Sequence, residues 1–120
     1  MTPNEGQLAG AISNAISHHY HARLGRGPVS ARTVLSDGLV VVILERMLTE
    51  AESYLVRTGK AQAVDSARRA LHSVLRTELV SVVEDATGER VIAVMGDQHL
   101  ELDIAVHVFI LDSGVASSEA

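Results

Sequence analysis

The stretch from Leu100 to Leu111 alternates so strictly that only folds containing a β-sheet accommodate it. Leu100, Leu102, Ile104, Val106, Val108 and Ile110 share one parity, while Glu101, Asp103, Ala105, His107, Phe109 and Leu111 share the other. Successive side chains of a strand point to opposite faces. The first set is wholly apolar and is expected to lie under a cover of helices. The second begins charged and ends in Phe109 and Leu111, so its far end is expected to be covered by something else, most simply a second copy of the chain.

The rest of the chain supplies partners for that strand. Thr2, Pro3 and Glu5 read as a capping box with proline at the first helical position. A helical stripe of Leu8, Ile12, Ala15, Ile16 and His19 follows and runs to about Leu24. Gly25, Arg26, Gly27 and Pro28 then make a tight connector. The runs from Val29 to Ser36 and from Leu39 to Arg46 flank Asp37-Gly38, a strong hairpin signal. In the second run both parities are apolar, which predicts either a central strand covered on both faces or part of an oligomer interface. Thr49 and Glu52 form a second capping box. The helix they open is interrupted or bent at Gly59. Val64, Ala67, Leu71, Val74, Leu75, Leu79, Val82 and Ala86 trace the stripe of a long helix, with Arg68, Arg69 and Arg76 assigned to its outer side. Thr87-Gly88 provides a glycine C-cap, Arg90 to Met95 a third strand and Gly96 to His99 a turn.

The predicted order is α-β-β-α-α-β-β. It implies one α+β domain over residues 1–112, a two-layer sandwich with an antiparallel sheet of about four strands and helices on one face, followed by a tail at 113–120. Val40, Val42, Leu44, Phe109 and Leu111 are left as an apolar set on the other face and are the predicted homodimer interface.

Composition narrows the function classes. No cysteine is present, so disulfides and thiolate metal sites are excluded. The longest aliphatic run, Leu39 to Leu44, is too short to cross a bilayer, and no leader pattern opens the chain, so no membrane insertion and a cytoplasmic location are expected. The formal charge of −5 argues against general nucleic-acid binding, and with two Tyr, one Phe and no Trp there is little to stack bases on.

Candidate sites are few. Arg23, Arg26 and Arg32 bracket the connector, where the two glycines Gly25 and Gly27 expose backbone N–H groups, an arrangement that would suit an anion such as a phosphate or carboxylate. It lacks the Gly-Lys-Ser/Thr ending of a phosphate loop. His18 and His21 share a helical face and are the weak metal candidates. His107 lies roughly 13 Å along a strand from Asp103, too far for a shared ion. No nucleophile elbow, metalloprotease helix or dinucleotide fingerprint is present, so no catalytic residue, no enzyme activity and no cofactor are predicted.

The Gly25-Arg26-Gly27-Pro28 connector, the Ser36-Asp37-Gly38-Leu39-Val40-Val41 hairpin, the helix start Leu48-Thr49-Glu50-Ala51-Glu52, Arg68-Arg69 and Thr87-Gly88 together resemble the MpsC-like family across about residues 5 to 112. That family was formerly a domain of unknown function. It is named for a component of a bacterial sodium-translocating, membrane-potential-generating system associated with inorganic-carbon uptake. The resemblance implies an accessory or regulatory protein, peripheral to the membrane through an integral-membrane transporter partner. It carries over no catalytic residues. Two alternatives remain from the residues: a small-anion or nucleotide-binding sensor using the Arg26 connector, and a KH-like RNA-binding module. The latter lacks its Gly-x-x-Gly clamp, since only Thr58-Gly59-Lys60-Ala61 stands between the central helices.

Overall fold

The computed structural model describes residues 4–114. Helix α1 (Glu5–Leu24) is followed by strands β1 (Ser30–Ser36) and β2 (Leu39–Glu45), helices α2 (Glu50–Arg57) and α3 (Ala61–Thr87), and strands β3 (Val91–His99) and β4 (Ile104–Leu111). The strands form one antiparallel sheet in the order β1-β2-β4-β3. The α+β class and the element order are those predicted.

Local chemistry sets the boundaries. Asn4 caps α1, its side chain accepting from the Gln7 N–H at 2.7 Å. The predicted Thr2 cap is therefore displaced two residues along the chain, and Thr2 and Pro3 themselves lie outside the described residues. The Thr49–Glu52 capping box forms as predicted at the head of α2. Gly59, at φ 86°, separates α2 from α3 outright, because a left-handed residue cannot continue a helix. Asp37 and Gly38 both take positive φ, as a tight hairpin turn requires. The C-terminal segment Asp112–Gly114 is a single 3-10 turn that passes against Gly38, where a side chain would collide with Gly114. The remainder of the predicted tail, 115–120, lies outside the described residues.

The largest correction concerns which face of the sheet is inside. Helices α1 and α3 pack on each other and cover the sheet, α1 against β1 and α3 against β3. The face they cover carries Val40, Val42 and Leu44 of β2 and Ala105, Phe109 and Leu111 of β4. Val40, Val42, Leu44 and Phe109 are each 0% exposed and Leu111 is 5% exposed, so the predicted dimer interface is in fact the core. The parity taken as the inner one, Ile104, Val106, Val108 and Ile110, faces away from the helices. Two features misled the sequence reading. Leu100 to Asp103 is a turn rather than strand, so Glu101 and Asp103 say nothing about the strand's faces. His107 is buried on the helix side, where its polarity is satisfied. Strand β3 correspondingly runs on through Gly96 to His99, the residues predicted as the turn.

The inner stripe of α3 is also rotated from its predicted position. It consists of Val64, Arg68, His72, Leu75, Leu79 and Val83, whereas Ala67 and Val74 are exposed. On α1 the buried positions are Ile12, Ser13, Ile16 and Tyr20, so Tyr20 rather than His19 ends the stripe.

Candidate functional site

Three long-range polar side chains meet where α1, α3 and β4 converge. Tyr20 enters from the last turn of α1, His72 from the middle of α3 and His107 from β4. The Tyr20 hydroxyl lies 2.6 Å from His72 Nδ1 and 2.9 Å from His107 Nε2. The two imidazoles stand edge to face with their centres 5.1 Å apart. All three side chains are buried, Tyr20 completely. On the core side their surroundings are apolar: Phe109 packs beside His107 and the core closes behind Tyr20.

Burial controls the protonation of the group. It pushes the Tyr20 hydroxyl well above its ordinary range, a shift that the Arg68 charge only partly opposes. Burial also lowers His72 to about 4, assisted by the Arg68, Arg69 and Arg76 charges and opposed by the Gln98 side chain. His107 falls to about 4, again chiefly from burial and then from His72 and Arg76. At neutral pH all three groups are neutral, and they share protons through hydrogen bonds.

The histidines open on one side into a cleft of about 100 Å³ between α3 and β3, lined by Arg69, Arg76, Gly96, Asp97 and Gln98 in addition to the rings. Arg69 bridges Asp65 and Asp97, at 2.8 Å to each. Gly96 forms part of the cleft floor. A Cβ there would stand 2.5 Å from the Val106 carbonyl oxygen and 3.2 Å from His107 Nδ1.

A second polar cluster braces the β2–α2 connector. The Met47 carbonyl accepts from Arg26 Nε at 3.2 Å and from Arg68 Nη2 at 3.1 Å, and the Leu48 carbonyl accepts from Arg26 Nη2 at 3.0 Å. Asp103, at φ 55°, accepts from the N–H groups of Met47 and Leu48. Arg68 also holds Glu52 in a forked pair, its Nε donating to Oε2 at 2.8 Å. Burial raises the Glu52 carboxyl, but the bonds from Arg68 and the Thr49 N–H outweigh it and leave the pKa below its ordinary value. This cluster holds backbone that would otherwise be buried unpaired. Replacing Arg68 with Ala is expected to cost about 2–4 kcal/mol, because it strands Glu52 and one acceptor of Met47. Urea unfolding at pH 7 measures it, and a loss below about 0.5 kcal/mol would contradict the bracing role.

The residues singled out from sequence do not assemble into a site. Arg23 pairs with Glu78 at 2.9 Å, Arg26 turns inward to the connector carbonyls, and Arg32 lies 3.6 Å from Glu45. Gly27 packs against the backbone of α1, where a Cβ would stand 3.1 Å from the Ser17 carbonyl oxygen. The connector thus presents no converging arginines to an anion. His18 and His21 are exposed on α1, and among the described residues no group of three or more His, Asp or Glu side chains comes together to hold a metal ion. The Tyr20–His72–His107 group was not found from sequence. A signal was present: His72 continues the spacing Val64, Arg68, Leu75, and His107 sits between Ala105 and Phe109.

With the fold and cleft described, comparison with known families decides the lineage. The family model described as Na+-translocating membrane potential-generating system (MpsC) matches residues 4–113. The chain belongs to the MpsC family. The match spans every helix and strand of the MpsC domain seen here, including Tyr20, His72 and His107. No curated protein and no solved structure matches the chain. Among the described residues of this MpsC member, no helix is long and apolar enough to cross a membrane.

Proposed function

We propose that this MpsC-family chain is a non-enzymatic accessory protein of a Na+-translocating membrane-potential-generating system. In this reading it acts as a cytoplasmic homodimer that reaches the membrane through an integral-membrane partner. The family supports the system, and the lack of a membrane-crossing helix among the described residues supports the peripheral role. The non-enzymatic reading draws on the buried trio, where a raised phenol and two lowered imidazoles leave neither a base nor an acid poised near neutral pH.

The observation that carries the reading is the uncovered sheet face. Across all four strands it presents Val34, Val41, Val108 and Met95 in one row and Ser36, Leu39, Ile110 and Ala93 in the next. Val34 is 52% and Met95 51% exposed. An apolar surface of this continuity calls for a partner, and a second copy is the occupant we infer. The third row, Arg32, Ile43, Val106 and Asp97, carries opposite charges at its two ends. A two-fold axis parallel to the strands lays β1 of one copy over β3 of the other and sets the apolar rows face to face, with Arg32 and Asp97 at the edges paired within their own chain to Glu45 and Arg69.

Native mass measurement at micromolar concentration is expected to give twice the 12.8 kDa chain mass. Val108→Lys is expected to give a folded monomer. A wild-type monomer, or an unaltered dimer in the variant, would reject this interface. For the accessory role, crosslinked native cells are fractionated and a tagged chain is recovered. An integral-membrane transport protein in the membrane fraction is the expected companion, and recovery of RNA and ribosomal proteins instead would overturn the reading.

A further inference from the structure

We propose that the cleft over His72 and His107 binds a small oxyanion that still carries a proton, of the size of inorganic phosphate. The inference does not depend on the accessory role or on the dimer. Its first support is an unmet hydrogen bond. His72 is 9% exposed, and its Nε2, buried at the cleft, has no hydrogen-bond partner among the described residues, Gln98 acting on the ring without closing a bond to it and turning its amide nitrogen to Asp65. A buried polar atom left unpaired loses its hydration with nothing in return, so this nitrogen calls for a bound partner.

The Tyr20 hydroxyl then fixes what kind of partner fits. It has one proton and two ring nitrogens to serve. If it donates to His72 Nδ1, His72 carries its own proton on Nε2, while His107 donates from Nε2 and keeps a lone pair on Nδ1. If it donates to His107 Nε2, both tautomers reverse. His107 Nδ1 lies beside Gly96 in the cleft floor. In either arrangement the cleft offers one N–H and one lone pair, always from different rings. The complementary ligand accepts with one oxygen and donates with another.

Charge and size narrow the class. Arg68, Arg69 and Arg76 all act on His72 with positive potential. Asp97, the carboxylate lining the cleft, is held by Arg69, whereas Arg76 has no ion pair among the described residues. Arg68 is offset by Glu52 and Arg69 by Asp65 and Asp97, so the one unpaired charge lining the cleft among the described residues is that of Arg76, which favours an anion over a metal ion. A volume of about 100 Å³ corresponds to roughly three waters, or one oxyanion of a few heavy atoms. Sulfate has the shape of phosphate but bears no proton near neutral pH, so it leaves the lone pair of one ring unpaired.

The test is a titration of inorganic phosphate, and separately of sulfate, into the 15N-labelled chain at constant ionic strength. The imidazole nitrogens of His72 and His107 and the amide of Gly96 are followed. Phosphate is expected to shift all three saturably, sulfate to bind at least about tenfold more weakly, and Arg76→Gln to weaken phosphate by about tenfold while leaving the amide spectrum folded. No saturable shift with phosphate, equal binding of sulfate, or undiminished binding in Arg76→Gln would each overturn the proposal. Glycerol phosphate binding as tightly as the free ion would overturn the assignment to a free ion.

Discussion

Taking the protein from pH 7.5 to pH 4.5 is expected to remove about 5 kcal/mol of folding free energy, most of it before any carboxylate titrates. The source is the buried pair His72 and His107, each neutral in the fold and each lowered to about 4 from an ordinary 6.5. As pH falls through 6.5 the unfolded chain takes up protons at both histidines while the folded chain does not. The unfolded state therefore binds more protons, and stability falls with pH down to about 4, below which both states are protonated and the loss levels off. Each histidine contributes about 2.5 kcal/mol by pH 4.5, at about 1.4 kcal/mol per factor of ten in proton affinity. A domain holds only about 5–15 kcal/mol in all, so the change is large. Glu52, Asp65 and Asp97 act in a lower window. Their pKa values lie below the ordinary 4.5 or 3.8, so the stability they contribute is present above those values and is lost as pH falls through the depressed ones. Urea midpoints measured at steps from pH 7.5 to 4.5 check the prediction. A flat profile over that span would mean that the two rings titrate in the folded state as freely as in the unfolded.

Replacing Phe109 with Ala is expected to destabilise the fold by about 3–5 kcal/mol, while Val108→Ala, its neighbour on the opposite face, costs about 1 kcal/mol or less within a single chain. Phe109 is 0% exposed at the centre of the cluster formed by α1, α3, β2 and β4, and its loss leaves a cavity that strands and helices cannot both close. Val108 looks out from the sheet, with Val41 and Met95 as its cross-strand neighbours. Chemical denaturation of the two variants, with Val108→Ala measured below its association concentration, reads out the sidedness of the sheet directly. Equal costs, or a larger cost at Val108, would restore the opposite assignment.

That sidedness marks where the sequence stops being sufficient. Capping residues, the Asp37-Gly38 turn, Gly59 and Gly88 act through local sterics and local hydrogen bonds, so they can be read from a few neighbouring residues. They place the helices and strands in order, and period-two alternation says that each strand has two distinct faces. Alternation does not say which face is inside when both are apolar, as in Leu39 to Leu44. The charges of Glu101 and Asp103 appeared to mark one parity as outer. They belong to a turn, and Asp103 spends its carboxylate on the Met47 and Leu48 N–H groups.

The same limit hid the trio of Tyr20, His72 and His107. A histidine on an apolar face reads as a misfit until its partner is known, and here the partner hydroxyl is 52 residues away from one ring and 87 from the other. Likewise Arg68 interrupts an apolar stripe and is assigned outward by periodicity alone. Glu52 and the Met47 carbonyl, on other elements, compensate its burial. Short-range chemistry in the sequence thus determined the elements, their order and their ends. Packing of α1 and α3 alone decided the inner face of the sheet and the polar groups buried there, because the free energy of burying a polar group depends on partners that only the tertiary fold brings within reach.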